Sequence, residues 1–398
     1  MAKLRKNTTG CILAACTVLA GFAASAQEQA RPGFENAPTI PPDTATAGEC
    51  ASSADARLDS ASETPDVAID EAVLSQAFRE LGEAAGTADP ACMPGLRARL
   101  HALRRLGDRA ELAAFDEGTT IAEALRQQAP QLELKAGDVL LLRSPQVVSA
   151  AVGQIGLSGS DFSHAAIIGL APVWRTLDVV EALAGDGVRT EALEEWLDKP
   201  FVRFAVLRHR VPEIAQQAAV AAYTDASERV ADDLWYDFKL ILDDSQRLYC
   251  TEVIRQAYAR AAPQAAPVPL HLSDVGALVE TFPMQELGAT GREVFLADDL
   301  QLDPRFETIL ELRAPAAVAR SERMDQAFRA IFARLRGPQR DAALAEIDAA
   351  VPPGPLAVSY AFGGGYFEYQ RLPPASRGRI AGLANLVKQT MKADESDR

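Results

Sequence analysis

The stretch Phe162-Ser163-His164-Ala165-Ala166-Ile167-Ile168-Gly169 decides how the middle of the chain is read. A polar opening gives way to an apolar run that continues to Leu170, the pattern of a buried strand. Similar runs flank it. Residues 138–142 read Asp-Val-Leu-Leu-Leu before it, and residues 179–183 and 201–207 follow. Gly185-Asp186-Gly187 marks a turn between short extended pieces. Thr190 is placed to cap a helix through Trp196, with Glu191 and Glu194 near its positive end. Pro212 suits the first position of a longer helix. Residues 249–261 read as a further helix, closed by Pro263, with Val253, Ile254, Ala257 and Tyr258 on its core face. Strands followed by helices in this order predict an α+β domain on a mainly antiparallel sheet.

Helical texture lies on both sides of this block. Ile69, Val73, Phe78 and Leu81 fall near helical spacing, Leu96, Leu100, Leu103 and Leu106 form a second stripe, and Ile121 and Leu125 suggest a third helix ending before Pro130. Arg97, Arg99, Arg104 and Arg105 are read as a solvated helix face. Past Leu310, residues 316–335, 340–350 and 379–391 are helix candidates, with a Gly- and aromatic-rich stretch at 360–369. The expected organisation is an export signal at 1–26, a Pro-, Ala- and Ser-rich linker at 27–65, a helical prefix at 66–130, the central domain at 131–312 and a helical extension at 313–398. The helical flanks are candidate surfaces for a protein partner.

The export reading rests on Lys3, Arg5 and Lys6, the uncharged apolar run 10–24, and Ala24-Ser25-Ala26 before Gln27. That run is shorter than the ~20 residues of a membrane span. Leu13-Ala14-Ala15-Cys16 offers a second cleavage pattern, which would attach a lipid at Cys16, and membrane attachment is expected only in that case. The 398 residues carry a formal net charge of −15, which argues against a nucleic-acid partner and against electrostatic docking on anionic lipid.

Few residues can carry chemistry. Of five cysteines, Cys11 and Cys16 fall in the signal. Cys50 and Cys92 form a disulfide candidate in an oxidising compartment, which leaves Cys250 as an odd thiol. Cys250 stands where a helix begins, and unpaired N–H groups there favour a thiolate. Of four histidines, His101, His209 and His271 suit structural or surface roles, while His164 sits at the mouth of a buried strand. Glu181, within Val179-Val180-Glu181-Ala182-Leu183, is a carboxylate in an apolar run and needs a partner. If the strands at 165–170 and 178–183 are antiparallel neighbours, Glu181 can reach the His164 ring and fix its tautomer. Taken one at a time, each of these side chains also fits a plain structural role. No Cys or His pair has metal-ligand spacing and no phosphate loop is present, so neither metal nor cofactor is expected.

Five segments in order resemble a known family: Lys135-Ala136-Gly137-Asp138-Val139-Leu140, Phe162-Ser163-His164-Ala165-Ala166-Ile167-Ile168-Gly169, Val180-Glu181-Ala182, Tyr236-Asp237-Phe238, and Leu248-Tyr249-Cys250-Thr251-Glu252-Val253. Together they resemble the permuted papain-like amidases of the YiiX/YaeF type, in the NlpC superfamily, in which the histidine precedes the cysteine. The resemblance covers about residues 134–258. It implies a permuted papain-like core with Cys250 as nucleophile, His164 as base and Glu181 as the third polar residue. Tyr236 matches an aromatic position near the site, a candidate for binding substrate. Thr251 replaces the usual Ser, and Asp232-Asp233-Leu234 stands where a Gly-Pro-like turn often occurs. The expected activity is an exported cysteine hydrolase of the cell envelope, cleaving an amide or ester of a peptidoglycan peptide or acyl amide. The alternatives are a lipid acyltransferase with the same triad and a non-catalytic envelope protein with a degenerate core.

Overall fold

A computed structural model of the chain describes residues 71–109, 115–184, 186–231, 236–242, 246–352 and 374–396. The expected signal, the linker, Cys16, Cys50 and the stretch at 360–369 lie outside these residues. Among the described residues no helix is long and apolar enough to cross a membrane.

The apolar runs become a single antiparallel sheet. Its strands are β1 (Val139–Arg143), β2 (His164–Leu170), β3 (Leu177–Leu183), β4 (Gly187–Ala192), β5 (Arg203–His209) and β8 (Phe306–Arg313). Their order in space is β4-β3-β2-β1-β5-β8, and β6 (Ser273–Asp274) pairs with β7 (Glu293–Val294) as a separate ribbon. The central strands are buried on both faces, so they read as continuous apolar runs and not as alternation. Val139, Leu141, Ala165, Ile167, Ala205 and Leu207 face one layer of core; Leu140, Leu142, Ala166, Ile168, Phe204 and Val206 face the other.

Helices cover both faces. In chain order they are α1 (Glu71–Thr87), α2 (Met93–Arg109), α3 (Ile121–Gln128), α4 (Val147–Gly153), α5 (Leu193–Leu197), α6 (Pro212–Ala231), α7 (Cys250–Ala261), α8 (Met284–Leu287), α9 (Pro315–Arg336), α10 (Arg340–Ala349) and α11 (Pro374–Ser396). α6 and α7 pack on the first face through Ala218, Ala222, Val253, Ile254 and Ala257. α3 and α5 bring Ile121, Ala124 and Trp196 to the second. The result is an α+β fold with helical segments before and after the sheet. One backbone feature ties α7 and α6 to β1. Gly137 has φ +87°, and a Cβ there would collide with the Ala215 carbonyl. The same residue's carbonyl accepts from the Tyr258 hydroxyl at 2.9 Å, so α7 is pinned to the start of β1.

Two expectations are corrected, on Thr190 and on the arginines of α2, and two features lie beyond what was expected, the exposure of Val73 and the strand β8. Thr190 and Glu191 cap nothing: both lie in β4, and α5 starts at Leu193 behind Ala192. Pairing with β3 outcompetes the local capping signal. Val73 does not join the core stripe of α1 but is 52% exposed. β8 takes a segment to which the sequence reading assigned no strand. The solvated face of α2 is also wrong for two of its four arginines. Arg97 and Arg104 are 4% and 1% exposed. Arg97 bonds Asp299 at 2.8 Å, and Arg104 reaches Asp161 at 2.7 Å and Asp298 at 2.9 Å, with His101 Nδ1 also 2.7 Å from Asp161. Burial pulls the His101 ring down, but the Asp161 and Asp298 carboxylates outweigh it and raise its pKa. These ion pairs fasten the helical prefix to the sheet domain. Local spacing cannot reveal them, because the partners stand far away in sequence. Cys92 is disulfide-bonded, and Cys250 is a free thiol.

Candidate active site

Three elements converge at one end of the sheet. β2 begins at His164, opposite Leu142 of β1. β3 runs antiparallel beside β2, with Ile167 facing Val180 across the pair. That register carries Glu181 back toward the first residue of β2. α7 starts at Cys250, directly after Tyr249, which has extended backbone and gives no side-chain cap. The first turn of α7 is fixed from outside instead. The Thr251 hydroxyl donates to the Phe295 carbonyl at 2.7 Å, and the Phe295 N–H reaches the Tyr249 hydroxyl at 3.4 Å. The Glu252 and Val253 N–H groups bond the Tyr249 carbonyl, which leaves the Thr251 N–H to act on the thiol side chain.

The structure brings Cys250, His164, Glu181 and Tyr236 together. His164 Nε2 lies 2.8 Å from Glu181 Oε2. The other ring nitrogen, Nδ1, is left for Cys250, whose thiol is hydrogen-bonded to the ring. The backbone N–H groups of Ala165 and Thr251 also point at the sulfur. Burial pushes the Cys250 thiol up, but the bond to His164, the imidazolium charge and these two N–H groups outweigh it and bring it below its usual value. Burial alone would push the His164 ring down, yet its bonds to Cys250 and Glu181 and their negative charges hold it at about 9. The two shifts favour a thiolate–imidazolium pair at neutral pH.

Glu181 is 0% exposed and every oxygen position is filled. Oε2 accepts from His164 and from Trp196 Nε1, each at 2.8 Å. Oε1 accepts from Arg189 Nε at 3.1 Å, Arg189 Nη2 at 2.7 Å and Lys199 Nζ at 3.2 Å. Burial raises its pKa, but the bond and charge of His164, the Lys199 charge and the Trp196 N–H hold it well below the ordinary carboxylate range. The Tyr236 hydroxyl bonds the Cys250 sulfur, while its ring packs against Phe238 at 5.1 Å between centroids. Burial and the nearby Cys250 charge push the phenol well above its usual value, so it stays a neutral donor.

Trp196, Arg189 and Lys199 were not among the predicted site residues. One signal for them existed: Arg189 stands directly opposite Glu181 in the β3–β4 register, as a cross-strand ion pair. The local capping signal at Thr190 masks that strand. His101, His209 and His271 stand apart from this cluster. His209 stacks on Tyr258 at 5.2 Å, and His271 Nε2 lies 3.0 Å from the Ala85 carbonyl oxygen. Among the described residues, His101, Asp161 and Asp298 form a group with metal-ligand atoms within 4.8 Å of one another. The Arg104 guanidinium bonds both carboxylates and supplies the positive charge a cation would bring.

Residues 133–310, a little under half of the chain, match the model of a family described as permuted papain-like amidase enzyme, YaeF/YiiX, C92 family. The matched segment contains Cys250, His164, Glu181 and Tyr236, and the match supports a cysteine-hydrolase-like activity. No curated protein and no solved structure gives a match.

Proposed function

We propose, with residues 133–310 taken as a permuted papain-like hydrolase domain, that the chain cleaves an amide or ester through an acyl-enzyme on Cys250. The observation that carries the reading is His164 bridging the Cys250 thiol and the buried Glu181 carboxylate. The thiolate attacks the substrate carbonyl carbon, and a C–S bond forms while the carbonyl electrons move to oxygen. The N–H of Cys250, at the start of α7, is positioned to stabilise that oxyanion, and the neutral Tyr236 hydroxyl is a second donor. Collapse expels the amine or alcohol, which takes the Nδ1 proton of His164. Neutral His164 then removes a proton from water, the hydroxide attacks the thioester, and a carboxylic acid leaves with the thiolate restored. Throughout, Glu181 stays an anion and stabilises the imidazolium.

The substrate class we propose is a peptide or acyl amide of the cell envelope, reached by export. Its support is the basic, apolar and small-residue pattern of residues 1–26. The test is alkylation of Cys250 by iodoacetamide, followed by mass of the Cys250 peptide, for the full chain and for His164→Ala at neutral pH. The expected result is labelling at least ten-fold slower in the variant. Equal rates would overturn the pairing and with it the mechanism.

A further inference from the structure

The catalytic cluster does not end at Glu181. Two cations and an indole converge on that carboxylate, and a second acid holds the cations in place. Arg189 Nη2 lies 2.9 Å from Glu191 Oε2, and Lys199 Nζ lies 2.7 Å from the same oxygen. Arg189 Nη1 also reaches Asp186 at 3.2 Å. Lys199 in turn sits 4.9 Å from the centre of the Trp196 ring. The elements around Glu181 thus present His164 from β2, Arg189 and Glu191 from β4, Asp186 from the turn between β3 and β4, and Trp196 and Lys199 from α5 and the residues after it. Beyond His164 stand Cys250 and Tyr236.

Two consequences follow from this packing. First, the carboxylate cannot rotate. Oε2 is held by Trp196 and Oε1 by Arg189 and Lys199, so the direction in which Glu181 offers a lone pair to His164 is set by residues that never touch the sulfur. Second, a fully buried carboxylate next to one imidazolium could take the Nε2 proton and leave a neutral pair, because desolvation favours the uncharged forms. Two half-buried cations on the far oxygen oppose that transfer.

Resting on the proposed role of Cys250 and His164, we propose that Trp196, Arg189 and Lys199 are positioning residues of this centre. They hold Glu181 ionised and in one orientation, and through it hold His164 in the tautomer and pose that serve Cys250. Arg189 and Lys199 act by charge as well as by geometry. Their positive field limits how far Glu181 stabilises the imidazolium, and it also favours the thiolate. Trp196 acts by direction: its N–H shares the oxygen that His164 uses.

The test is the pH profile of Cys250 alkylation in the full chain, read by mass of the Cys250 peptide. The wild type gives two steps, one as the thiolate–imidazolium pair forms and one near pH 9 as the imidazolium loses its proton. Arg189→Met and Lys199→Met each move both steps to higher pH, the second by about half to one pH unit, the scale of a partly screened charge several ångströms from the ring. Arg189→Lys and Lys199→Arg return both steps toward the wild-type positions. Trp196→Phe moves the second step upward by a smaller amount and broadens it. A role in folding alone would lower the melting temperature and leave both steps in place. Wild-type positions for both steps in the Arg189→Met/Lys199→Met double variant overturn the proposal. If the wild type itself shows the single step of an ordinary thiol, or His164→Ala matches the wild type, it is the reading of Cys250 and His164 that fails.

Discussion

Replacing Glu181 by Gln removes one charge and keeps the shape, so its effect can be worked from the contacts. Glu181 is 0% exposed and its Oε2 accepts from His164 Nε2 at 2.8 Å. A hydrogen bond to a charged partner contributes about 1.5–3 kcal/mol and a neutral one about 0.5–1.5, so the lost difference is roughly 1 kcal/mol, or close to one pH unit on the ring. The Coulomb term is larger. Opposite charges about 4 Å apart at an effective dielectric near 20 interact by about 4 kcal/mol, or roughly three pH units. Arg189 and Lys199 remain beside residue 181 with only Glu191 and Asp186 against them, which adds to the effect, while their 30% and 28% exposure lets them turn to solvent and relieve it. The two figures describe one interaction and are not summed, so the expected outcome is a fall of about three units in the His164 pKa from its wild-type position near 9. In the alkylation profile of Cys250 the second step would move down and merge with the first. The variant's amide NH₂ must also face a donor on one side or the other, at about 1–3 kcal/mol, which urea unfolding would register as lower stability. A second step still near pH 9 in Glu181→Gln would refute the claim that this carboxylate sets the imidazolium.

Other consequences can be checked separately. Arg104→Met leaves Asp161 and Asp298 without their shared cation in the seam between α2 and the sheet domain, and should destabilise the chain by about 3–5 kcal/mol in urea unfolding. Gly137→Ala forces φ +87° on a residue with a Cβ that meets the Ala215 carbonyl. A loss of about 2–4 kcal/mol is expected, against which a loss under about 0.5 kcal/mol would show that the turn relaxes freely. Tyr236→Phe removes a neutral donor beside the sulfur, and with an amide or ester substrate kcat should fall about 100-fold with little change in KM. A change confined to KM would make Tyr236 a binding residue only.

The parts of the fold legible in the sequence are those whose signal is local. Residues 139–142, 165–170 and 179–180 are apolar because both faces of their strands are buried, and that shows without any partner. The α7 stripe of Val253, Ile254, Ala257 and Tyr258 is legible for the same reason. β8 was not, since Phe306–Arg313 mixes apolar residues with Glu307, Glu311 and Arg313. Glu311 is a buried acid made stable by Arg203 at 2.7 Å, a residue more than a hundred positions earlier. Arg97 and Arg104 hid behind helical charge spacing in the same way. In the site, Cys250, His164 and Glu181 stood out because each is a reactive or charged type in an apolar setting. Trp196, Arg189 and Lys199 did not: indole and surface-type cations near an acidic segment look like ordinary helix and strand residues until the β3–β4 register sets Arg189 against Glu181. The fold makes that connection, while the local capping signal at Thr190 points to a helix instead.

Cys250 can act as a thiolate paired with His164 only if that ring carries a positive charge at neutral pH. Nitrogen-15 NMR of the ring nitrogens, followed from pH 5 to 10 in the full chain, reads that charge directly. The prediction is a doubly protonated His164 ring through pH 7 and 8, losing its proton near 9. In Cys250→Ala, which removes the thiolate that faces it, the midpoint should fall. A His164 ring that is already neutral at pH 7.5 in the unmodified chain, titrating near its ordinary 6.5, would contradict the account.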